Sequence, residues 1–206
     1  RAPQATPLPG EQVYPQMSLR PSGGYVVWQD NVTDGVGYGL SARRLDSSLS
    51  GMFSVFRVNQ SATDDQERGC VSLLNDGGAA FAWQGGKQGF QHVYARFLSS
   101  AGTFVTGDVM VNTATNVFQI ETTIATLTNG NTVVAWSSFN QVSSNSLRDV
   151  YFQILSPSGA KVGVETRANE TTIFNQRTAT VAPLADGRFI LVQNATPATS
   201  VSIVSR

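Results

Sequence analysis

Three tryptophans, Trp28, Trp83 and Trp136, stand 55 and 53 residues apart, and each ends an apolar run. The runs are Tyr25-Val26-Val27-Trp28, Ala79-Ala80-Phe81-Ala82-Trp83 and Thr132-Val133-Val134-Ala135-Trp136. A fourth, Arg188-Phe189-Ile190-Leu191-Val192-Gln193, puts Gln193 57 residues beyond Trp136. Other landmarks keep the same period. Gln12, Gln66, Gln119 and Gln176 each lie five residues before an apolar position (Met17, Val71, Ile124, Val181), and Asn59, Asn112 and Asn169 each lie seven before one of the last three glutamines. A third segment recurs as Ala42-Arg43-Arg44-Leu45, Ala95-Arg96-Phe97-Leu98 and Phe152-Gln153-Ile154-Leu155. Landmarks at such constant offsets define one supersecondary unit repeated four times.

Each unit reads as four short strands. The first is Val71–Leu74 or its counterpart, the second the Trp-ending run, the third His92–Leu98 or Asp149–Leu155. The fourth is Met52–Val58, Asp108–Val111 or Lys161–Ala168. Asp76-Gly77, Asn129-Gly130 and Asp186-Gly187 are hairpin dipeptides, since glycine takes positive φ without steric cost. β-Branched and aromatic residues fill the runs, and no helical period is present. The second strand is apolar on both faces, so both must be covered. Sheets stacked face to face around an axis supply that cover, and a four-stranded unit of this length is blade-sized. The expected fold is all-β and β-propeller-like, with four repeats of four-stranded antiparallel blades, the fourth incomplete. An arc of a larger propeller and a stacked-sheet solenoid are the alternatives. Residues 1–11 read as an extended arm and 12–206 as a single domain, with blades at about 12–65, 66–118, 119–175 and 176–206.

Charge is low and balanced, with 14 basic and 14 acidic residues and a pI near 6.8. That argues against a phosphate-backbone binder, which needs a basic stripe, so no nucleic-acid partner is expected. No apolar run approaches the roughly 18–20 residues of a helical membrane span. A chain that opens on Arg1, without methionine or leader, is expected to be a mature or excised segment. The single cysteine, Cys70, opens an apolar strand and reads as a small buried hydrophobe.

Recurrence at one strand position makes Trp28, Trp83 and Trp136 blade-core residues ahead of sugar-stacking platforms. Gln12, Gln66, Gln119, Gln176, Asn59, Asn112 and Asn169 sit at blade junctions, where hydrogen bonds to loop backbone account for them. His92, the sole histidine, lies at a third-strand start where the sister repeat has Asp149, and no nucleophile or metal motif surrounds it. Asp30 and Asp34 in one loop, and Asp64, Asp65 and Glu67 in another, do not follow the twelve-residue calcium-loop pattern. Neither acidic group recurs, which argues against a carboxylate pair built into the repeat. No metal or cofactor is expected. Asn31, Asn59, Asn169 and Asn194 head Asn-x-Ser/Thr tripeptides, which matter only where exported proteins are glycosylated.

The landmarks resemble a blade repeat of bacterial secreted and cell-surface proteins: glycine, an apolar run to Trp, a polar loop, Tyr-Ala-Gln-Arg, a turn, then Val-Asn before Gln. The matching residues are Gly24-Tyr25-Val26-Val27-Trp28, Val93-Tyr94-Ala95-Arg96-Phe97-Leu98, Val111-Asn112 and Gln119, and the likeness runs from Gln12 to Arg206. It implies a propeller-type fold in an extracellular or cell-surface protein. Blade 4 departs from it, with Gln193 for Trp and nothing after its third strand.

The expectation for function is a non-catalytic structural subunit of an extracellular assembly (filament, stalk or surface layer), with self-association as the partner and no enzyme activity. The alternative is a carbohydrate-binding or adhesive propeller with glycans as ligands. The assembly edge would be the last strand, carrying Val201 and Ile203, paired with the arm. Pro3, Pro7 and Pro9 occupy odd positions, so Gln4, Thr6 and Leu8 keep their N–H groups on the pairing side.

Overall fold

The computed structural model describes residues 8–49, 53–144 and 146–196. Of the expected assembly edge, Pro3, Gln4, Thr6, Val201 and Ile203 lie outside the described residues, and Leu8 is half-buried. The described residues form fourteen strands and no helix, hence no helix able to cross a membrane.

Blade 1 comprises β1 (Gln12–Arg20), β2 (Gly23–Asp30), β3 (Gly39–Leu45) and β4 (Phe56–Arg57), in that order across an antiparallel sheet. Blade 2 repeats the order with β5 (Gln66–Leu73), β6 (Ala79–Gly85), β7 (His92–Leu98) and β8 (Val109–Met110). Blade 3 has β9 (Gln119–Thr126), β10 (Thr132–Phe139), β11 (Arg148–Leu155) and β12 (Lys161–Arg167). In blade 4, β13 (Asn175–Pro183) pairs with β14 (Phe189–Thr196). The fold is β-propeller-like. Two outer strands are shorter than expected, β4 and β8 pairing over two residues each, whereas β12, also outermost, runs for seven.

Alternation along the second strands aims their residues into two different cores. In β6, Ala79, Phe81 and Trp83 face blade 1 and pack on Tyr25, Val27 and Leu40, whereas Ala80 and Ala82 face blade 3 and pack on Val134 and Trp136. A third core joins Val133, Ala135 and Phe152 to Phe189 and Leu191 of blade 4. Small residues on one face and aromatics on the other let adjacent sheets close without voids. The first hairpins of blades 2, 3 and 4 turn on a glycine at φ 89° (Gly77, Gly130, Gly187), where a side chain would be strained.

Blades 1 to 4 follow one another around an axis, but no comparable packing joins blade 4 to blade 1 among the described residues. Met17 is 63% exposed, while its counterpart Val71 is 7% exposed against blade 1. Among the described residues the blades therefore form an arc.

Candidate functional site

The repeated amides tie each blade to the start of the next. Asn59, Asn112 and Asn169 accept at Oδ1 from the amides of Leu40, Val93 and Val150, each at 2.8 Å. Their Nδ2 groups donate to the carbonyls of Ser61, Ala114 and Thr171. Gln12, Gln66, Gln119 and Gln176 donate from Nε2 to the carbonyls of Pro9, Thr63, Ala114 and Ile173. Gln12 is exposed, while the other three are buried. Trp83 is fully buried and donates from Nε1 to Gln66 Oε1 at 2.8 Å. Trp136 is equally buried, but Gln119 Oε1 is taken by His92 Nδ1 at 2.8 Å, and Trp136 Nε1 has no partner among the described residues. Trp28 is buried as well and belongs to none of the three cores.

The acidic loops serve their own backbone. Asp30 accepts from the amides of Val32 and Thr33 and from the Thr33 hydroxyl. Burial pushes its carboxyl upward, but the hydrogen bonds from Ser41, Thr33 and these amides outweigh that and hold it below the usual carboxylate value. Asp34 accepts from Asn59 Nδ2, and Asp65 from the Tyr38 amide. Glu67 accepts from Gln84 Nε2 at 3.2 Å. Asp64 sits at φ 58°. No group of three or more possible metal ligands occurs among the described residues. Asp149 is fully buried, and desolvation raises its carboxyl above the usual value despite the hydrogen bond from Asn169 Nδ2 at 2.6 Å. Cys70 lies beside the axis, its Sγ on the Ala82 carbonyl, and burial pushes its thiol up to about 12.

The residues that converge are different ones. Two positions after each repeated glutamine, the inner strand bulges, and the residue there has positive φ: Tyr14 52°, Arg68 50°, Glu121 59°, Thr178 54°. A bulge re-aims its side chain and leaves its N–H outside the ladder. The preceding blade satisfies that N–H. Gln29 Oε1 accepts from the Arg68 amide at 3.1 Å, Gln84 Oε1 from the Glu121 amide at 3.0 Å, and Ser137 Oγ lies 3.3 Å from the Thr178 amide. The four bulges thereby border an axial cavity of about 310 Å³, with Gln16, Gly69, Cys70, Thr122, Thr123 and Ala179 in the rest of its wall.

Its chemistry is specific. Glu121 Oε1 meets Arg148 Nη1 at 3.0 Å, and Oε2 accepts from the Ser137 hydroxyl at 2.7 Å and the Thr178 amide at 3.1 Å. The Arg68 guanidinium carbon stands 4.3 Å from the Tyr14 ring centroid and has no ion pair among the described residues. The mouth thus offers an aromatic ring, a cation, a carboxylate and hydroxyls. Sequence reasoning missed this set because it searched for residues that recur. The usable signal was the reverse: Tyr, Arg, Glu and Thr occupy the same place in otherwise matching repeats. A position where blades differ among polar and aromatic types is one that packing does not dictate.

No protein-family model and no curated protein sequence matches the chain. Solved structures do share its fold. An endo-arabinase from Bacteroides thetaiotaomicron superposes with a TM-score of 0.56 at 18% identity, covering 95% of this chain and 75% of that one. The α-L-arabinanase of Penicillium chrysogenum, solved with arabinobiose, gives 0.59 at 11% identity, covering 94% and 61%. A xylan β-1,4-xylosidase from Bacillus halodurans gives 0.54 at 12%, covering 91% and 38%. These likenesses overturn the expected non-catalytic structural subunit of a filament, stalk or surface layer, and the expectation that the chain is no enzyme. At these identities the likeness is one of fold. The physical reason for the error is that a propeller site takes one residue from each blade, so it never shows as a contiguous motif.

Proposed function

We propose that this chain is a carbohydrate-active propeller that takes a glycan into the axial cavity, outside the cell or at its surface. The observation that carries this reading is the convergence of Tyr14, Arg68, Glu121 and Thr178, one from each blade, on one opening. Sugar rings present an apolar face and a rim of hydroxyls. Tyr14 supplies apolar surface for the first, and Glu121, Arg68 and Thr178 supply acceptors and donors for the second. Arg148 and Ser137 hold the Glu121 carboxylate in place, so little ordering is needed when ligand enters. An ionised carboxylate so placed also stabilises positive charge developing on a sugar ring, the electrostatic part of glycoside hydrolysis.

The test is calorimetric titration with arabino-, xylo- and β-1,3-galacto-oligosaccharides, run beside an assay for released reducing ends. Tyr14→Ala and Glu121→Gln should each weaken binding by about tenfold or more, which corresponds to about 1.4 kcal/mol or more. Unchanged affinity in both variants, with native circular dichroism, would refute the axial site.

A further inference from the structure

We infer that a groove between the loops of blades 2 and 3 is a second sugar subsite, which makes the chain a reader of oligosaccharides; this rests on the axial reading above. The groove is a cavity of about 290 Å³ lined by Phe90, His92, Asn116, Phe118, Phe139 and Asn140. That volume falls just below the ~300–1,000 Å³ typical of small-molecule sites, as suits a subsite for one sugar residue.

Its aromatic wall is held rather than left loose. Phe90 is 70% exposed, yet its loop is pinned at several points. The Phe90 amide donates to the Lys87 carbonyl, the Gly86 amide to the Asp65 carbonyl, and the Gly89 amide to Oε1 of buried Gln91. Gly86 and Gly89 both have positive φ, which lets the loop turn this tightly. Opposite, Phe118 and Phe139 stack with centroids 4.8 Å apart and planes 16° apart, and the Phe139 amide donates to the Phe118 carbonyl. A phenyl presented to water on a pinned loop is a feature of recognition surfaces, not of packing.

The polar complement suits a sugar edge. His92 Nδ1 is nearer Gln119 Oε1 (2.8 Å) than Asn112 Nδ2 (3.3 Å), which assigns the proton to Nδ1 and leaves Nε2 as an acceptor. Asn140 uses Oδ1 for the Leu147 amide and keeps its Nδ2 donors, and the Asn116 amide has no protein partner among the described residues. An apolar peptide would not use this set of a lone acceptor and two amides. A sugar, with one CH face and several hydroxyls, would.

The groove also connects to the axis. Arg148 pairs with Glu121 in the axial cavity, and its guanidinium carbon lies 5.6 Å from the Phe139 centroid. One side chain therefore touches the carboxylate of one subsite and the aromatic wall of the other. A linear glycan running outward from the axis over Arg148 would place a later residue among Phe90, Phe118 and His92.

The experiment is titration of the intact chain with arabino- and xylo-oligosaccharides from one to six residues, in the wild type and in Phe90→Ala, Phe118→Ala and Tyr14→Ala. In the wild type the hexasaccharide should bind about tenfold or more tighter than the disaccharide, and Phe90→Ala should remove that gain while leaving disaccharide affinity unchanged. Tyr14→Ala should weaken every length. Phe90 is exposed, so its variant folds even if Phe118→Ala does not. A chain-length gain untouched by Phe90→Ala overturns the second subsite and leaves the axial reading standing. No binding of any oligosaccharide by the wild type overturns both.

Discussion

Trp83 and Trp136 occupy the same place in their repeats and are both fully buried, yet they should respond differently to replacement by phenylalanine. Each change removes a similar part of an indole from a closed core, and Trp83 also loses part of its stacking on Tyr94, 6.0 Å away, which adds to its side of the comparison. The hydrogen-bonding terms differ in the same direction. Trp83→Phe removes the donor to Gln66 Oε1 at 2.8 Å and strands a buried amide oxygen, at a cost of about 1–3 kcal/mol. Trp136→Phe removes an N–H that already lacks a partner, because His92 occupies Gln119 Oε1. Trp83→Phe should therefore be the costlier change by about 2 kcal/mol. In a chain of this size, that corresponds to about 4–8 °C in Tm. Urea unfolding followed by far-UV circular dichroism measures it, with the m-value checked for constancy across the three proteins. Equal costs, or a larger cost for Trp136→Phe, would show that Gln66 contributes nothing to the blade 2 core and would refute the reasoning.

Gln84→Ala should destabilise the chain by about 1–3 kcal/mol in the same unfolding assay, because it leaves the Glu121 bulge amide without its acceptor; a neutral result would mean the bulge does not need the preceding blade. Two carboxyls should act on stability in opposite senses with pH. Asp30 is held below its unfolded value of about 3.9, so its contribution is present above that pH and fades as pH falls through the lower folded value. Asp30→Asn should therefore be destabilising at neutral pH, with the gap closing in acid. Asp149 is raised by burial, so ionising it costs stability as pH rises from about 3.9 through its folded value. Asp149→Asn should raise Tm at neutral pH and leave it unchanged in acid; melting curves across that range that run parallel to wild type would contradict both assignments.

The outer strands and the inner strands show where pattern reading loses force. Met52–Val58 reads as a strand, but among the described residues only Phe56–Arg57 pairs, and Phe53 and Ser54 ahead of it are exposed. In the opposite direction, the first strand of blade 2 reads as starting at Val71 and in fact starts at Gln66. The bulge between Glu67 and Cys70 breaks the two-residue alternation, so the stretch ahead of it does not look like strand. The axial site sits on that break. Glu121 and Arg68 were therefore invisible as site residues for the same reason that their strands were misjudged in length.

What the amino-acid sequence determined by itself is the repeat: the apolar run, the turn glycine, and the Gln and Asn that close each junction. These depend on contacts within one unit or with the next, and every unit faces the same demand, so the same residues recur. Asn59, Asn112 and Asn169 make the same pair of backbone bonds in three blades. The tertiary structure decided what differs between equivalent positions. Whether Gln119 serves Trp136 or His92 depends on a side chain reaching over from another blade. Whether Tyr14, Arg68, Glu121 and Thr178 form a site depends on four strands, each about 55 residues from the next, bending toward one axis. Spacing along the chain carries no information on which side chains meet there, because that distance is closed only when the sheets stack.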